Sequence, residues 1–276
     1  MPEPARLEVR KTYKLFIGGA FPRSESGRTY LVQGNNVALA SRKDVRDAVV
    51  AARAAVAGWA GATAYNRGQI LYRAAEMAEG RRGELTALGV PAAEVDAAVD
   101  RWIWYAGWAD KVAQVYGGAN PVAGPFFNLS APEPTGVVGI VAPPDSPLLG
   151  LVSVVAPAIV TGNSVVVLAA ESAPRTAITL AEILATSDLP GGVVNLLTGR
   201  VAETAPWLAS HADVNALDLT GVTDPVLATS LEQAAAETLK RVVRPPDRPV
   251  DWTADPGLAR LTAFLETKTV WHPKGL

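Results

Sequence analysis

The side chains that could do chemistry in this chain cluster just after four short apolar runs, and they are sparse. "APPDSP" brings Asp145, "AAES" brings Glu171, "TGRVAE" brings Gly199 and Glu203, and "TGVTD" brings Thr220, Gly221 and Asp224. A carboxylate works as a general acid or base when a companion base, nucleophile or metal ligand stands beside it. None of these four has such a companion nearby in sequence, so each reads as a helix cap. A phosphate cradle needs several glycines that let backbone N–H groups approach oxygens at a helix start. Gly199 and Gly221 each stand alone and read as turn glycines. Cysteine is absent from the whole sequence, which removes disulfides, thiolate ligands and thiol nucleophiles. The two histidines, His211 and His272, are too far apart in sequence to form a local metal-binding pair, and no metal site is expected.

These residues need a scaffold, and the patterning supplies one. "GVVGIVAP", "SVVVLA", "GVVNLLTG" and "VNALDLTG" are uninterrupted β-branched runs. They alternate with helical stretches at 147–160, 173–187 and 202–210. Strands apolar on both faces and separated by helices imply a parallel sheet covered on both sides. Ligands of such sheets sit beyond the carboxyl ends of the strands, where the residues above lie. Upstream, "YKLFIGGAF" reads as a short hairpin. "SRKD" at 41–44 reads as a capping box ahead of a helix from Val45 that stops at Gly58. Segments 64–85 and 92–118 read as two further helices. In the second, Val95, Val99, Trp102, Ala106, Ala109 and Val112 form one apolar stripe, and the aromatics at 102–108 read as core plus interface.

Composition narrows the class. With 49% hydrophobic and 19% charged residues among 276, a sizeable core is within reach. A net charge of −2 gives no electrostatic footprint for nucleic acid or an anionic membrane, so neither is an expected partner. The first residues do not read as a secretory signal, and the run 148–160 is too short to span a bilayer. A cytoplasmic location is the expectation.

Several longer motifs, in order, resemble the aldehyde dehydrogenase superfamily. They are "KLFIGGAFPRSESGRTY", "AYNRGQILYRAAEM", "EPTGVVGIVAP", "GNSVVVLAAE", "PGGVVNLLTG", "SHADVNALDLTG" and the closing "LETKTVWHPKG". The resemblance implies an α/β fold: a Rossmann-like parallel sheet with helices on both faces, extra amino-terminal helices and a β-arm for oligomerisation. It implies an NAD(P)-dependent oxidation of aldehydes through a cysteine nucleophile and a glutamate base.

The resemblance also locates what is missing. "LKRVV" should run into a strand carrying the general-base glutamate. Here "RPPDRPVDW" follows, so Pro245 stands at the glutamate position and the catalytic domain is lost between about 245 and 252. The resulting organisation is a hairpin and helices at 1–115, a first arm segment at 116–135 and a Rossmann-like domain at 136–244. A joint at 245–257 and a second arm segment at 258–276 complete it.

At the remaining cofactor positions Pro143, Glu171, Gly199, Thr220 and Gly221 are retained. Asp145 replaces the asparagine that would donate to an oxyanion, and an ionised carboxylate there would repel developing negative charge. Leu168 replaces the ribose lysine. Each lost charge-assisted hydrogen bond weakens binding by about 1.5–3 kcal/mol, so two or three losses move a micromolar cofactor toward millimolar. The expectation is a chain inactive by itself, binding NAD(P) weakly if at all. It would serve as a non-catalytic subunit docking through its arm on a full-length aldehyde dehydrogenase. The alternatives are a subunit whose partner supplies the cysteine, and a free-standing relic.

Overall fold

The structure, a computed structural model, describes residues 9–275. Most of the amino-terminal stretch read as lacking a secretory signal, residues 1–8, lies outside them. The elements run β1 (Thr12–Tyr13), β2 (Thr29–Val32), β3 (Asn35–Ala38), α1 (Arg42–Gly61), α2 (Ala64–Gly80), α3 (Arg82–Ala87), α4 (Ala92–Trp108) and α5 (Val112–Tyr116). Next come β4 (Gly118–Asn120), β5 (Phe126–Pro134), β6 (Val137–Val141), α6 (Leu149–Val160), β7 (Ser164–Leu168), α7 (Pro174–Leu184), β8 (Val194–Leu197) and α8 (Val201–Ser210). The chain closes with β9 (Ala216–Asp218), α9 (Pro225–Ala236), β10 (Arg241–Val243), α10 (Ala259–Thr262) and β11 (Leu265–Pro273).

The four apolar runs become β6, β7, β8 and β9 of one parallel sheet, ordered β10-β9-β6-β7-β8. Every residue of β6, β7, β8 and β9 is buried, as strands covered on both faces must be. One apolar cluster lies between the sheet and α2, α4, α6 and α7, around Trp59, Trp102, Ile140 and Ile159. A second joins the opposite face to α1, α8 and α9 through Val49, Leu208, Leu217 and Leu231. The β8 edge is covered by the amino-terminal hairpin, where Phe16 and Leu196 exchange two backbone hydrogen bonds. At the opposite edge β10 runs into Pro245 and Pro246, whose missing N–H groups prevent further pairing there.

Outside the core, β5 stands between β4 and β11 in a separate antiparallel sheet. Nine residue pairs join β5 to β11, from Leu265 opposite Pro134 to Pro273 opposite Phe126. The base of this arm is tied to the main sheet at one carbonyl, the Phe264 oxygen. It accepts from Asn163 Nδ2 at 3.0 Å and from the Thr135 N–H at 3.1 Å.

Four helix boundaries differ from the pattern. The helix expected from Val45 begins at Arg42, because Asp44 accepts the Ser41 N–H at 2.7 Å and closes the first turn earlier; it also runs through Gly58 to Gly61. The segment 64–85 breaks at Arg81 into α2 and α3, and 92–118 breaks at 109–111 into α4 and α5. Periodicity continued through both breaks because one face stays buried on each side of the bend. Of the aromatic group on α4, Trp102 and Tyr105 are fully buried, as a core face requires, and Trp104 and Trp108 are half-buried.

Burial pushes the Tyr105 hydroxyl up to about 12 from its ordinary 10.0. The neutral phenol therefore stabilises the fold fully below pH 10, and this contribution is lost as pH rises through about 12. Denaturant titrations should show the Tyr105→Phe variant losing less stability than the native chain between those two pH values, and behaving in parallel with it below them.

Candidate functional site

The sheet's carboxyl ends converge on the joint, and the side chains there are satisfied by one another. Glu171, after β7, reaches the start of α8. One oxygen accepts the Val201 N–H at 2.8 Å and the other accepts from Arg200 at 2.8 Å. A carboxylate at a helix amino terminus meets both free N–H groups and the positive end of the helix dipole. The site where a parallel-sheet protein would receive a phosphate thus holds an anion of its own. Tyr30 lies beside this pair, and its hydroxyl is pushed up to about 12, first by burial and then by the Glu171 charge.

Gly199 and Gly221 are required by packing. A Cβ on Gly199, where φ is +146°, would stand 3.1 Å from the Ala40 nitrogen. One on Gly221 would lie 2.1 Å from the Ala142 oxygen, because that residue seals β9 against the end of β6. The backbone N–H of Gly221 is already donated to Val141 O at 3.1 Å. Thr220 donates both its N–H, at 2.9 Å, and its hydroxyl to Asp218. Pro143 is buried and lies against Gly150 in the first turn of α6, where an added Cβ would be 2.8 Å from the proline ring. Between α8 and α9 there is direct apolar contact, with Ala205 and Leu208 in the same buried cluster as Ala228 and Leu231.

Of the four carboxylates read as caps, Asp224 caps α9 through the Val226 N–H at 2.9 Å. Glu171 caps α8, and Glu203 lies in the first turn of that helix. Asp145 does not cap. Glu94, from α4, takes that place on α6, accepting from Leu148 N, Leu149 N and Ser146 Oγ at 3.0–3.1 Å. A contact spanning more than fifty residues left no local trace in the sequence. Asp145 instead accepts the indole N–H of Trp252, 3.3 Å from each carboxylate oxygen.

Trp252 belongs to the joint, and two arginines fix it. Arg101 on α4 is buried; it donates to Ser153 Oγ at 3.0 Å, to Trp252 O at 2.8 Å and to Ala254 O at 3.0 Å. Arg260 on α10 stacks on the Trp252 ring at 5.5 Å and pairs with Asp218 at 3.1 Å. Asp218 is only 1% exposed. Sequence reading passed over Asp218, Arg101 and Arg260, although an acid inside an apolar strand run signals a buried partner. Beside this network lies an open cleft of about 860 Å³, lined by Asp145, Glu232, Pro245, Asp247, Arg248 and Trp252 among others. Pro245 thus lies in the cleft wall, and Arg244 is paired with Glu232 at 2.9 Å. Of the histidines, His211 accepts the Asp213 N–H at 3.2 Å, and His272 lies on the arm opposite Phe127.

Residues 32–244 match the family described as "Aldehyde dehydrogenase family". The chain belongs to the aldehyde dehydrogenase family. It is 33% identical over 264 residues to "Aldehyde dehydrogenase, cytosolic 1" of Elephantulus edwardii, covering 88% of this chain and 52% of that protein. It is also 33% identical to human "Retinal dehydrogenase 2", over 88% of this chain and 50% of the relative. Among solved structures, HpcC from Thermus thermophilus superposes with a TM-score of 0.79 at 32% identity, covering 84% of this chain and 47% of that one. The NAD+ complex of an aldehyde dehydrogenase from Bacillus cereus superposes with a TM-score of 0.78 at 28% identity, over 84% and 50%. The chain spans about half the length of the relatives it matches. Among the described residues no helix is long and apolar enough to cross a membrane.

The Asp218–Arg260 pair sets a measurable stability. Replacing Arg260 by Met leaves a buried carboxylate without its cation, and urea unfolding should show a loss of about 3 kcal/mol. Adding Asp218→Asn in the same chain should recover part of that loss, because the uncompensated charge is then gone while the amide oxygen can still accept from Thr220.

Proposed function

We propose that this chain is a non-catalytic subunit that assembles, in the cytoplasm, with a full-length member of the aldehyde dehydrogenase family. The observation that carries this reading is the arm. Its β5–β11 ladder is continuous, and it presents an apolar face on a chain that has no cysteine nucleophile. Residues paired across an antiparallel ladder share a face, so Leu129 and Val270 stand together, with Phe127 and His272 beside them. Phe127, Leu129 and Val270 are all exposed. The other face carries a hydrogen-bonded cluster of Asn120, Asn128, Ser130 and Thr269, and beside it Phe126 and Trp271 meet edge to face and stay exposed. A sheet with exposed apolar side chains on both faces and an open outer edge on β11 suits strand addition and face packing by a partner sheet.

The residues at the strand ends do not fit a dinucleotide. Glu171 is committed to Arg200 and the α8 amino terminus, and Leu168 is buried where the resemblance implies a ribose-binding lysine. Thr220 is committed to Asp218, and Asp145 faces Trp252. NAD(P) is therefore proposed to bind weakly or not at all, and aldehyde oxidation by the chain alone is not supported.

Co-expression with a full-length aldehyde dehydrogenase of the same organism, followed by size exclusion with light scattering, tests the reading. A complex of fixed stoichiometry is expected. The Leu129→Asp, Val270→Asp double variant should elute apart from the partner while keeping its own helical circular dichroism. A native chain that stays monomeric beside its relative would sink the proposal. In a parallel assay the isolated chain should reduce no NAD in the presence of aldehydes.

A further inference from the structure

We propose that the outer face of the amino-terminal sheet is a binding site for a phosphate-class dianion, held by Lys14, Arg23 and Arg28. The sheet is ordered β1-β3-β2. Its inner face sends Tyr13 and Val37 into the core. Its outer face, with the loop 23–28 folded over it, encloses a pocket of about 190 Å³. Lys14, Arg23 and Arg28 line this pocket together with the polar side chains of Thr12, Thr29 and Asn36, and no carboxylate lines it.

The charge pattern sets this pocket apart. Nearby cations take acidic partners: Lys11 pairs with Glu182 at 2.7 Å, Lys43 with Glu25 at 2.5 Å and Arg200 with Glu171 at 2.8 Å. Lys14, Arg23 and Arg28 pair with no carboxylate among the described residues. The two acids closest in sequence are already engaged. Glu25 is held by Lys43, and Asp44 accepts from Ser24 Oγ at 2.8 Å, Glu25 N at 2.9 Å and Ser41 N at 2.7 Å. Three like charges around one cavity repel one another, and an anion between them turns that repulsion into attraction.

The backbone that carries Arg23 and Arg28 is fixed before any ligand arrives, while their side chains are exposed. Pro22 O accepts the Leu15 N–H at 3.1 Å just before Arg23, and Arg28 O accepts the Leu39 N–H at 3.0 Å. Between them, Ser24 O accepts the Gly27 N–H at 2.9 Å. Asp44, in the first turn of α1, clamps Ser24 and Glu25. Backbone ordering that is complete in the free protein is not charged against binding, which leaves only the side chains to be ordered. Two guanidinium forks and an ammonium match a tetrahedral dianion better than a carboxylate, whose single charge would leave two cations unmatched. At ~30 Å³ per water the pocket has room for about six waters, enough for a phosphoryl group with part of its hydration. Free phosphate and the phosphoryl group of a small phosphomonoester share this chemistry.

Isothermal titration with inorganic phosphate, and separately with phenyl phosphate, tests the site at constant ionic strength set with chloride. Saturable binding at one site is expected, weakened about tenfold or more by Arg23→Gln and again by Arg28→Gln. Arg73→Gln removes a cation on α2 and should leave the affinity unchanged. Tighter binding of phenyl phosphate would identify a phosphomonoester as the natural source, and equal binding would identify the free anion. Heat no greater than the chloride control, or equal losses in all three variants, would overturn the proposal.

Discussion

A buried ion pair between Asp218 and Arg260 decides where the chain goes after its sheet ends. Asp218 closes β9, and its carboxylate also accepts the backbone and hydroxyl protons of Thr220. A charge that deep needs a cation and hydrogen bonds together, or its desolvation dominates. Arg260 provides the cation, and in doing so it draws α10 and the joint across the strand ends. Trp252, Leu261 and Phe264 then enter the main apolar cluster. Each large apolar side chain buried in this way contributes about 1.5–3 kcal/mol. Arg101 holds the joint's backbone from the α4 side. The return segment is therefore an integral part of the core, and β11 leaves it at a defined point to complete the arm.

That return also explains the chemistry of the strand ends. In a parallel sheet covered on both faces, the carboxyl ends leave polar groups looking for partners. Here Glu171 meets the α8 amino terminus, Glu94 meets that of α6 and Asp224 meets that of α9. Trp252 gives Asp145 its donor. Each of these four carboxylates is matched within the chain. The arm differs in character. Its polar side chains Asn120, Asn128, Ser130 and Thr269 bond to one another, while Phe126, Phe127, Leu129, Val270 and Trp271 remain exposed. The unmet physical demand therefore lies on the arm and not at the strand ends.

The parallel sheet, its flanking helices and the arm were legible in the sequence. β-branched runs such as "SVVVL" leave little choice of structure, and the family motifs carried their order. Asp224 was legible as a cap because it stands directly before α9, whereas the helix that Glu171 caps is α8, which lies beyond the adjacent α7. Asp145 was misread, because its local setting matches a cap while a residue more than fifty positions upstream supplies the real one. Arg101 and Arg260 were not legible at all. Nothing in their neighbours distinguishes a buried arginine from a solvated one.

The sequence by itself determined that this chain builds a parallel sheet covered by helices on both faces, that it contains no cysteine, and that its motifs follow the order of the aldehyde dehydrogenase family. Those facts are set by residue type and order, which local sterics and periodicity read directly. Only the tertiary structure decided that Asp145 faces Trp252, that Glu171 fills a helix amino terminus, and that three unpaired cations share one pocket on the amino-terminal sheet. These depend on pairs far apart in the chain, and the charge balance of such a pair exists only once folding has brought its members together.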